Sequence, residues 1–239
     1  MHSIQAAEIT VTEIKLLSIL QVCDSFFPTG GYTQSFGLET YVQLGIVKDE
    51  ETLFEFLSTY LKRAVANSDG LVIRLAYRAF SENDMEMIVR LDDALDAQKV
   101  AREPREASIR IGRQILNTVQ SLLNTPNSDP FLKLVRENKV QGHQSLVYAH
   151  LGHRLDWGED ITVLAFMYSS VSAMVNNALK SVPLGQTTGQ RVLQRLRVPV
   201  LEAAAMSKDL VFDDLGGVSP GLDVRAIQHE YLYARMFAS

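Results

Sequence analysis

One cysteine in 239 residues, Cys23, excludes an internal disulfide and any cysteine-rich metal site. It sits in an apolar stretch, where a thiol reads as a small buried apolar group. Basic charge is also scarce: 23 Lys and Arg against 28 Asp and Glu leave a net charge of −5, and a nucleic-acid binder usually needs a basic face. The opening MHSIQAAEITVTE has no basic region followed by an apolar core, so no signal peptide is expected and the cytoplasm is the simplest location. The most apolar run, Ile161 to Val182, is interrupted by Thr162, Ser169, Ser170, Ser172, Asn176, Asn177 and Lys180. It reads as a buried central helix rather than a membrane span. Sustained alternation of period 2, the mark of a half-buried strand, is almost missing. No repeat, low-complexity linker or composition shift divides the chain.

What is present is helical periodicity. Thr10 to Glu13 has capping-box spacing, and Ile14, Leu16, Leu17, Ile19, Leu20 and Cys23 make a wide apolar stripe behind it. A helix over about 34–44 ends at Gly45, and Asp49 caps another over about 50–66. Asn67-Ser-Asp-Gly70 reads as a turn before a helix over 70–81. Asn83 or Asp84 caps the next, about 84–100. Helices follow over about 104–124, with Pro104 in the first turn, over 130–138 after a turn at 127–130, and over 142–155. Asp160 reads as the cap of the helix over 161–182. The next starts near Gln186 and is kinked or restarted at Pro199, and Asp223 reads as the cap of a last helix ending near Arg235. These elements predict one all-α domain over 1–239, a bundle of about ten helices around a buried central helix at 161–182. Residues 1–10 form a flexible N-terminus and 236–239 a short tail.

The stretch Asp24 to Val47 interrupts the helical pattern with Pro28, Gly30 and Gly31, and sets Phe26, Phe27, Tyr32 and Phe36 beside small polar residues. It is a buried corner or a docking surface. The glycine pair is not a phosphate loop, because no G-x-x-x-x-G-K-[ST] follows and no lysine is near. His143, His150 and His153 share a helical face, but the first two lie two turns, about 10 Å, apart. Only His150 and His153 remain candidates to share a metal ion, against the plainer reading of polar-face or hydrogen-bonded histidines. Arg102, Arg105, Arg110 and Arg113 alternate with Glu103 and Glu106, which is either a solvated charged face or a partly buried network, since arginine's fork suits carboxylates out of water. The C-terminal His229, Glu230, Tyr231, Tyr233, Arg235 and Phe237 have the composition of an interface, or of a helix packed on its own bundle. No nucleophile elbow, catalytic triad or carboxylate pair stands out, and a binding or scaffold protein is favoured over an enzyme.

Five blocks, in order along the chain, are similar to the UreF family of urease accessory proteins. They are Asp24-Ser25, Pro28, Gly30-Gly31, Gln34-Ser35 and Gly37 to Thr40; Arg102-Glu103, Arg105, Ala107-Ser108 and Gly112; Gly142-His143; Pro183-Leu-Gly-Gln186 with Gln190; and His229-Glu230, Arg235, Phe237 and Ser239. Phe26-Phe27-Pro28-Thr29-Gly30 departs from the family's usual A-L-P-V-G. The resemblance implies an all-α homodimer without chemistry or cofactor of its own. It implies assembly with UreD (UreH) and the GTPase UreG on apo-urease, so that nickel reaches a carbamylated-lysine site in a GTP-dependent step. Neither nucleic acid nor a membrane is a partner. Within the resemblance, Tyr32, Gln34, Ser35 and Glu39 are expected to help bind the GTPase, and Arg235 and Phe237 to dock UreD. Gly30, Gly31, Arg102, Glu103, Arg105, Ser108, His143, Pro183, Gly185, Gln186 and His229 are expected to shape the fold or an interface. Two alternatives stay open: a direct regulator of the GTPase, and a helical enzyme using a groove beside the helix over 161–182.

Overall fold

The computed structural model describes residues 11–122, 128–216 and 219–238. Outside them lie the expected flexible residues 1–10 with Thr10 of the capping box, the end of the helix expected to reach Asn124, Asn127 of the following turn, part of the loop before the last helix, and Ser239. Eleven α-helices occur among the described residues, and no strand: α1 (Val11–Cys23), α2 (Leu38–Gln43), α3 (Glu50–Tyr60), α4 (Leu71–Glu82), α5 (Met85–Gln98), α6 (Arg102–Leu122), α7 (Pro130–Arg136), α8 (Gln144–Arg154), α9 (Glu159–Ser181), α10 (Gln186–Met206) and α11 (Pro220–His229). The chain is a single all-α domain.

Short polar side chains set several of the boundaries. Asp49 accepts from the Thr52 N–H while the Thr52 hydroxyl accepts from the Asp49 N–H, so α3 starts on a reciprocal cap. Asp84 caps α5, and Asp129 caps α7 with Pro130 in its first turn. Helix α9 is the hub. It packs against α1, α2, α3, α4, α8 and α10, and its Val163, Phe166, Met167, Val171, Met174, Val175 and Ala178 are buried. Arg74 of α4 is buried beneath its start. It donates to Glu159 at 2.8 Å, Asp160 at 2.7 Å, the Ser207 hydroxyl at 2.9 Å and the Ala204 carbonyl at 2.8 Å, tying α4, α9 and α10 together.

Four boundaries depart from the sequence reading. Asn67-Ser-Asp-Gly70 is not a turn: Leu61–Gly70 is a π-helical stretch that joins α3 to α4 without a break. The wider coil accommodates Asp69, which the Lys99 ammonium holds at 2.8 Å, and Gly70, where a Cβ would lie 2.8 Å from the Met167 methyl group. Helix α2 starts at Leu38 rather than Gln34, because Gln34 is extended and Phe36 and Gly37 take left-handed conformations at φ 50° and 86°. Asp160 does not cap α9. Gly158 holds that position and Asp160 serves Arg74. The last helix starts at Pro220, behind Ser219, and ends at His229 rather than near Arg235. Helix α10 runs on through Pro199 to Met206.

Helix α1 does not bury its stripe. Val22 is buried, but Ile14, Leu16, Leu17 and Leu20 are each more than half exposed. Lys15 paired with Asp156 and the Trp157 indole donating to the Ser18 hydroxyl at 2.7 Å hold the helix to the body.

Candidate functional site

Three of the family-like blocks, the first, the second and the last, meet in space. The corner ahead of α2, the start of α6, the end of α9, and α11 with its C-terminal segment form one region. Gly30 turns the corner at φ 72°, a conformation open to glycine at no steric cost. Gln34 and Ser35 point inward: both are buried, and the Asn177 amide of α9 donates to the Gln34 carbonyl at 2.7 Å. Tyr32 lies in the short turn Gly31–Thr33; its side chain is outside the described atoms. Helix α11 crosses α2 closely, since a Cβ on Gly37 would touch the Ala226 and Leu222 side chains at 3.4 Å.

An ionic cluster lies beneath this crossing. The His229 ring is fully buried between two carboxylates, with Nε2 2.8 Å from Glu39 and Nδ1 2.6 Å from Glu103. Glu39 also accepts the backbone N–H groups of Met236 at 2.7 Å and Phe237 at 3.1 Å. Glu103 accepts from Arg235 at 2.7 Å, and Arg102 reaches Glu230 at 3.0 Å. Gln43 donates to the Ala234 carbonyl at 2.8 Å, and the Ala238 N–H donates to the Thr33 carbonyl at 2.9 Å. The irregular segment 230–238 is thus tied down along its length. Phe237 is buried beneath the Lys180 ammonium, 5.7 Å from its ring centre. Facing out are Val224 and Ile227 of α11 and Tyr231, Tyr233 and Met236 of the segment, with Tyr231 at 83% and Tyr233 at 106% exposure.

Other expected site residues serve packing seams. Ser108 accepts from the Gln144 N–H at 3.3 Å and lies 3.1 Å from His143 Nδ1, while His143 Nε2 is 3.3 Å from Asp96. His143 therefore sits just ahead of α8, in the α5–α6 junction, and not on a face shared with His150 and His153. Burial, and then the nearby Lys99 ammonium, push its ring down to about 4. Arg105 approaches Asp96 of α5 at 3.9 Å. Pro183, Gly185 and Gln186 form the exposed link from α9 to α10.

His150 and His153 belong to an aromatic cluster. His150 lies 5.1 Å from the Phe80 ring and 4.8 Å from Phe131, and His153 stacks on Phe80 at 6.2 Å. Burial pushes His150 down to about 4. Among the described residues no group of three His, Cys, Asp or Glu side chains is placed to hold a metal ion.

The sequence reading missed Arg74 and Asp92. Burial pushes the Asp92 carboxyl up to about 6, against the backbone N–H groups of Gln141, Gly142 and His143. The available signal was a lone charge inside an apolar helical face, at Arg74 in LVIRLAYR and at Asp92 in IVRLDDAL.

The cavity against α9 measures about 60 Å³ and is lined in part by Ser169, Ser170, Asp69 and Lys99. A cleft of about 680 Å³ lies elsewhere, between α3, the π-helical stretch and the approach to α11. No described helix is long and apolar enough to cross a membrane. A buried ionic cluster fixing an outward-facing aromatic segment defines an all-α protein whose most developed site presents a surface.

The comparisons give that class a family. The UreF family profile matches residues 47–197, and the chain belongs to the UreF family. It is 37% identical to the urease accessory protein UreF of Lachnoclostridium phytofermentans over 94% of this chain and 98% of that one. Identity is 36% to its namesake in Bacillus sp. (strain TB-90), covering 94% and 99%, and 34% to that in Geobacillus kaustophilus, covering 96% and 100%.

Proposed function

We propose that this chain is a scaffold in the maturation of urease, joining UreD (UreH) and the GTPase UreG on apo-urease for GTP-dependent nickel insertion. Family membership supports the role in urease maturation; the named partners are our reading. So are a homodimer, a cytoplasmic location and the absence of catalysis by this chain.

The observation that carries the reading is the C-terminal surface. Val224, Ile227, Tyr231, Tyr233 and Met236 stand exposed on a segment whose inner face is held by buried hydrogen bonds. Rigid, exposed aromatic and apolar side chains are the material of protein interfaces. In this reading UreD docks there, and the buried Phe237 and the exposed Arg235, bonded to Glu103, act by holding the segment. The neighbouring corner with Gly30, Gly31 and Tyr32 serves the GTPase, with Gln34, Ser35 and Glu39 shaping it from inside. The exposed stripe of α1 is a second apolar surface, available to the second copy. The enzyme alternative placed its groove beside α9, and the cavity there falls well short of the roughly 300 Å³ at which ligand pockets begin.

Co-purification of the tagged chain with co-expressed UreD, UreG and apo-urease tests the role, with urease activity read after nickel and GTP. Activation lost on omitting the chain is expected; equal activation without it refutes the scaffold. Deleting residues 236–239 should abolish capture of UreD and leave the dimer's mass unchanged by light scattering. Retained capture refutes the docking assignment.

A further inference from the structure

We propose that the cleft between α3, the π-helical stretch and the approach to α11 binds a small amphiphilic anion, an aliphatic or aromatic carboxylate whose apolar body lies in the cleft and whose carboxylate meets Arg63. No residue of the segment 230–238 lines this cleft, so the site is independent of the docking reading above.

The cleft measures about 680 Å³. Ligand sites fall roughly between 300 and 1,000 Å³, and the cavities of about 60 and 100 Å³ lie below that range. One wall is a helical face: Thr52, Phe56, Thr59, Arg63 and Asn67 follow at steps of three or four from α3 into Leu61–Gly70. π-Helical turns concentrate at functional sites, and this one carries the polar part of the wall. The Asn67 carbonyl accepts from the Gly216 N–H at 3.0 Å, which fixes the loop ahead of α11 against it. Tyr41, Ile46, Met206 and Leu222 supply apolar surface, and the Tyr41 and Phe56 rings lie 4.9 Å apart. Ile46 at 48% and Met206 at 44% exposure leave that surface in water, where covering it is favourable.

Three charged side chains line the cleft, and two are already answered. The Lys62 ammonium is 2.6 Å from Glu202, and Glu55 lies in the field of Arg195. The exposed Arg63 has neither an ion pair nor a hydrogen bond among the described residues. Its guanidinium offers two parallel N–H donors, the geometry that suits a carboxylate. A cationic ligand would face this charge uncompensated. Past Tyr60 the lining turns polar, with Asp69, Lys99 and Gln98, so the apolar body of the ligand ends there. A lipid surface would call for several free cations, and a concave site with one suits a free small molecule.

Calorimetric titration of the full chain with octanoate tests the site. Saturable binding at one site per chain is expected, with a negative heat-capacity change from the apolar surface covered. Arg63→Gln should weaken octanoate about tenfold and leave octanol unchanged, because only the carboxylate uses the guanidinium. Thr59→Trp places a large ring in the cleft from an exposed helix position and should abolish binding of both; Ile46→Trp fills the same cleft should that variant not fold. No saturable binding, binding untouched by the filling variants, or octanoate held equally by Arg63→Gln overturns the proposal. So does either of two other occupants. Loss of UreD or UreG from Thr59→Trp on co-purification, without octanoate binding by wild type, assigns the cleft to a partner protein. Flotation of the chain with phosphatidylglycerol vesicles, undisturbed by octanoate, assigns it to a lipid surface. The titration involves no partner, so the scaffold reading can fail in co-purification while this site stands.

Discussion

Replacing Gly112 with alanine tests how closely α6 and the entry to α8 are built against each other. In an unconstrained helix interior the change stabilises by about 1 kcal/mol, because glycine's backbone freedom is lost on folding. Here a Cβ would lie 2.1 Å from the Gly142 carbonyl oxygen, 2.9 Å from the Gln144 nitrogen and 2.9 Å from the His143 carbonyl carbon. Ordinary contact begins near 3.4 Å, so the closest approach is short by about 1.3 Å. All three neighbours are backbone atoms, and they are pinned. Asp92 accepts from the Gln141 and Gly142 N–H groups, the Gln144 N–H donates to Ser108, and Gly142 already sits at φ 81°. Relief requires moving α6 and α8 apart or breaking the Asp92 anchor. Overpacking of this kind costs about 3 kcal/mol or more, which outweighs the propensity gain and leaves a net loss of about 2 kcal/mol. For a chain of this length that lowers Tm by about 4–8 °C. Gly189→Ala is the matched control. Its Cβ meets the ends of the Leu179 and Val175 side chains at 2.8 to 3.3 Å, which can yield, so stability should stay within about 1 kcal/mol of wild type. Urea unfolding of both variants, followed by circular dichroism, decides. A Gly112→Ala protein as stable as wild type, or more so, refutes the close-approach argument.

Three further perturbations follow from the same packing. Arg74→Met leaves Glu159 and Asp160 without their buried partner and the Ser207 hydroxyl without its donor; since Asp160 is exposed, the expected loss is about 2–4 kcal/mol, read from the urea midpoint. Asp49→Ala removes the side-chain half of the α3 cap, since the Asp49 N–H can still donate to the Thr52 hydroxyl, and should lower the urea midpoint with no change in the slope of the transition. Between pH 4 and 6.5 the unfolded chain binds protons at His143 and His150 that the folded chain refuses, while Asp92, raised to about 6, holds a proton that the unfolded chain has released. The two histidines make stability rise with pH and the aspartate makes it fall, so these groups give a net rise of roughly one proton, about 1.4 kcal/mol per pH unit at its steepest. His150→Phe should remove one proton's worth of that slope; an unchanged slope refutes the assignment to His150.

The helices were legible because their signals are local. Apolar spacing, Asp49, Asp84 and Pro130 settle elements from a few neighbouring residues. Asn67-Ser-Asp-Gly70 misled because its turn chemistry is real in isolation, and tertiary contacts override it. The Lys99 ammonium that holds Asp69 is thirty positions away, and the Met167 contact that requires glycine at position 70 lies on another helix. Asp160 misled in the same way, since its partner Arg74 comes from α4. The α1 stripe has the pattern of a core helix, yet exposure is decided by what covers it, and periodicity is silent on that.

The site divides along the same line. The family-like blocks pick out segments that the structure brings together, but they do not separate side chains that face solvent from those that hold the surface in place. Glu39, Glu103 and His229 are polar, and in a sequence polar residues read as surface. The structure buries all three, and pairs them with one another and with the segment 230–238. Conversely, Tyr231 and Tyr233 are large rings of the kind that usually fill a core, and they stand in solvent. The inversion has one physical cause. Beyond Leu232, whose N–H still bonds back to His229, the segment has no regular hydrogen-bond pattern and cannot be held by apolar burial alone, so its backbone N–H groups need acceptors that are themselves fixed. Buried carboxylates meet that need only if they are held in place themselves, and His229 and Arg235 hold them by hydrogen bonds. The aromatic side chains, relieved of a structural role, are left to face outward.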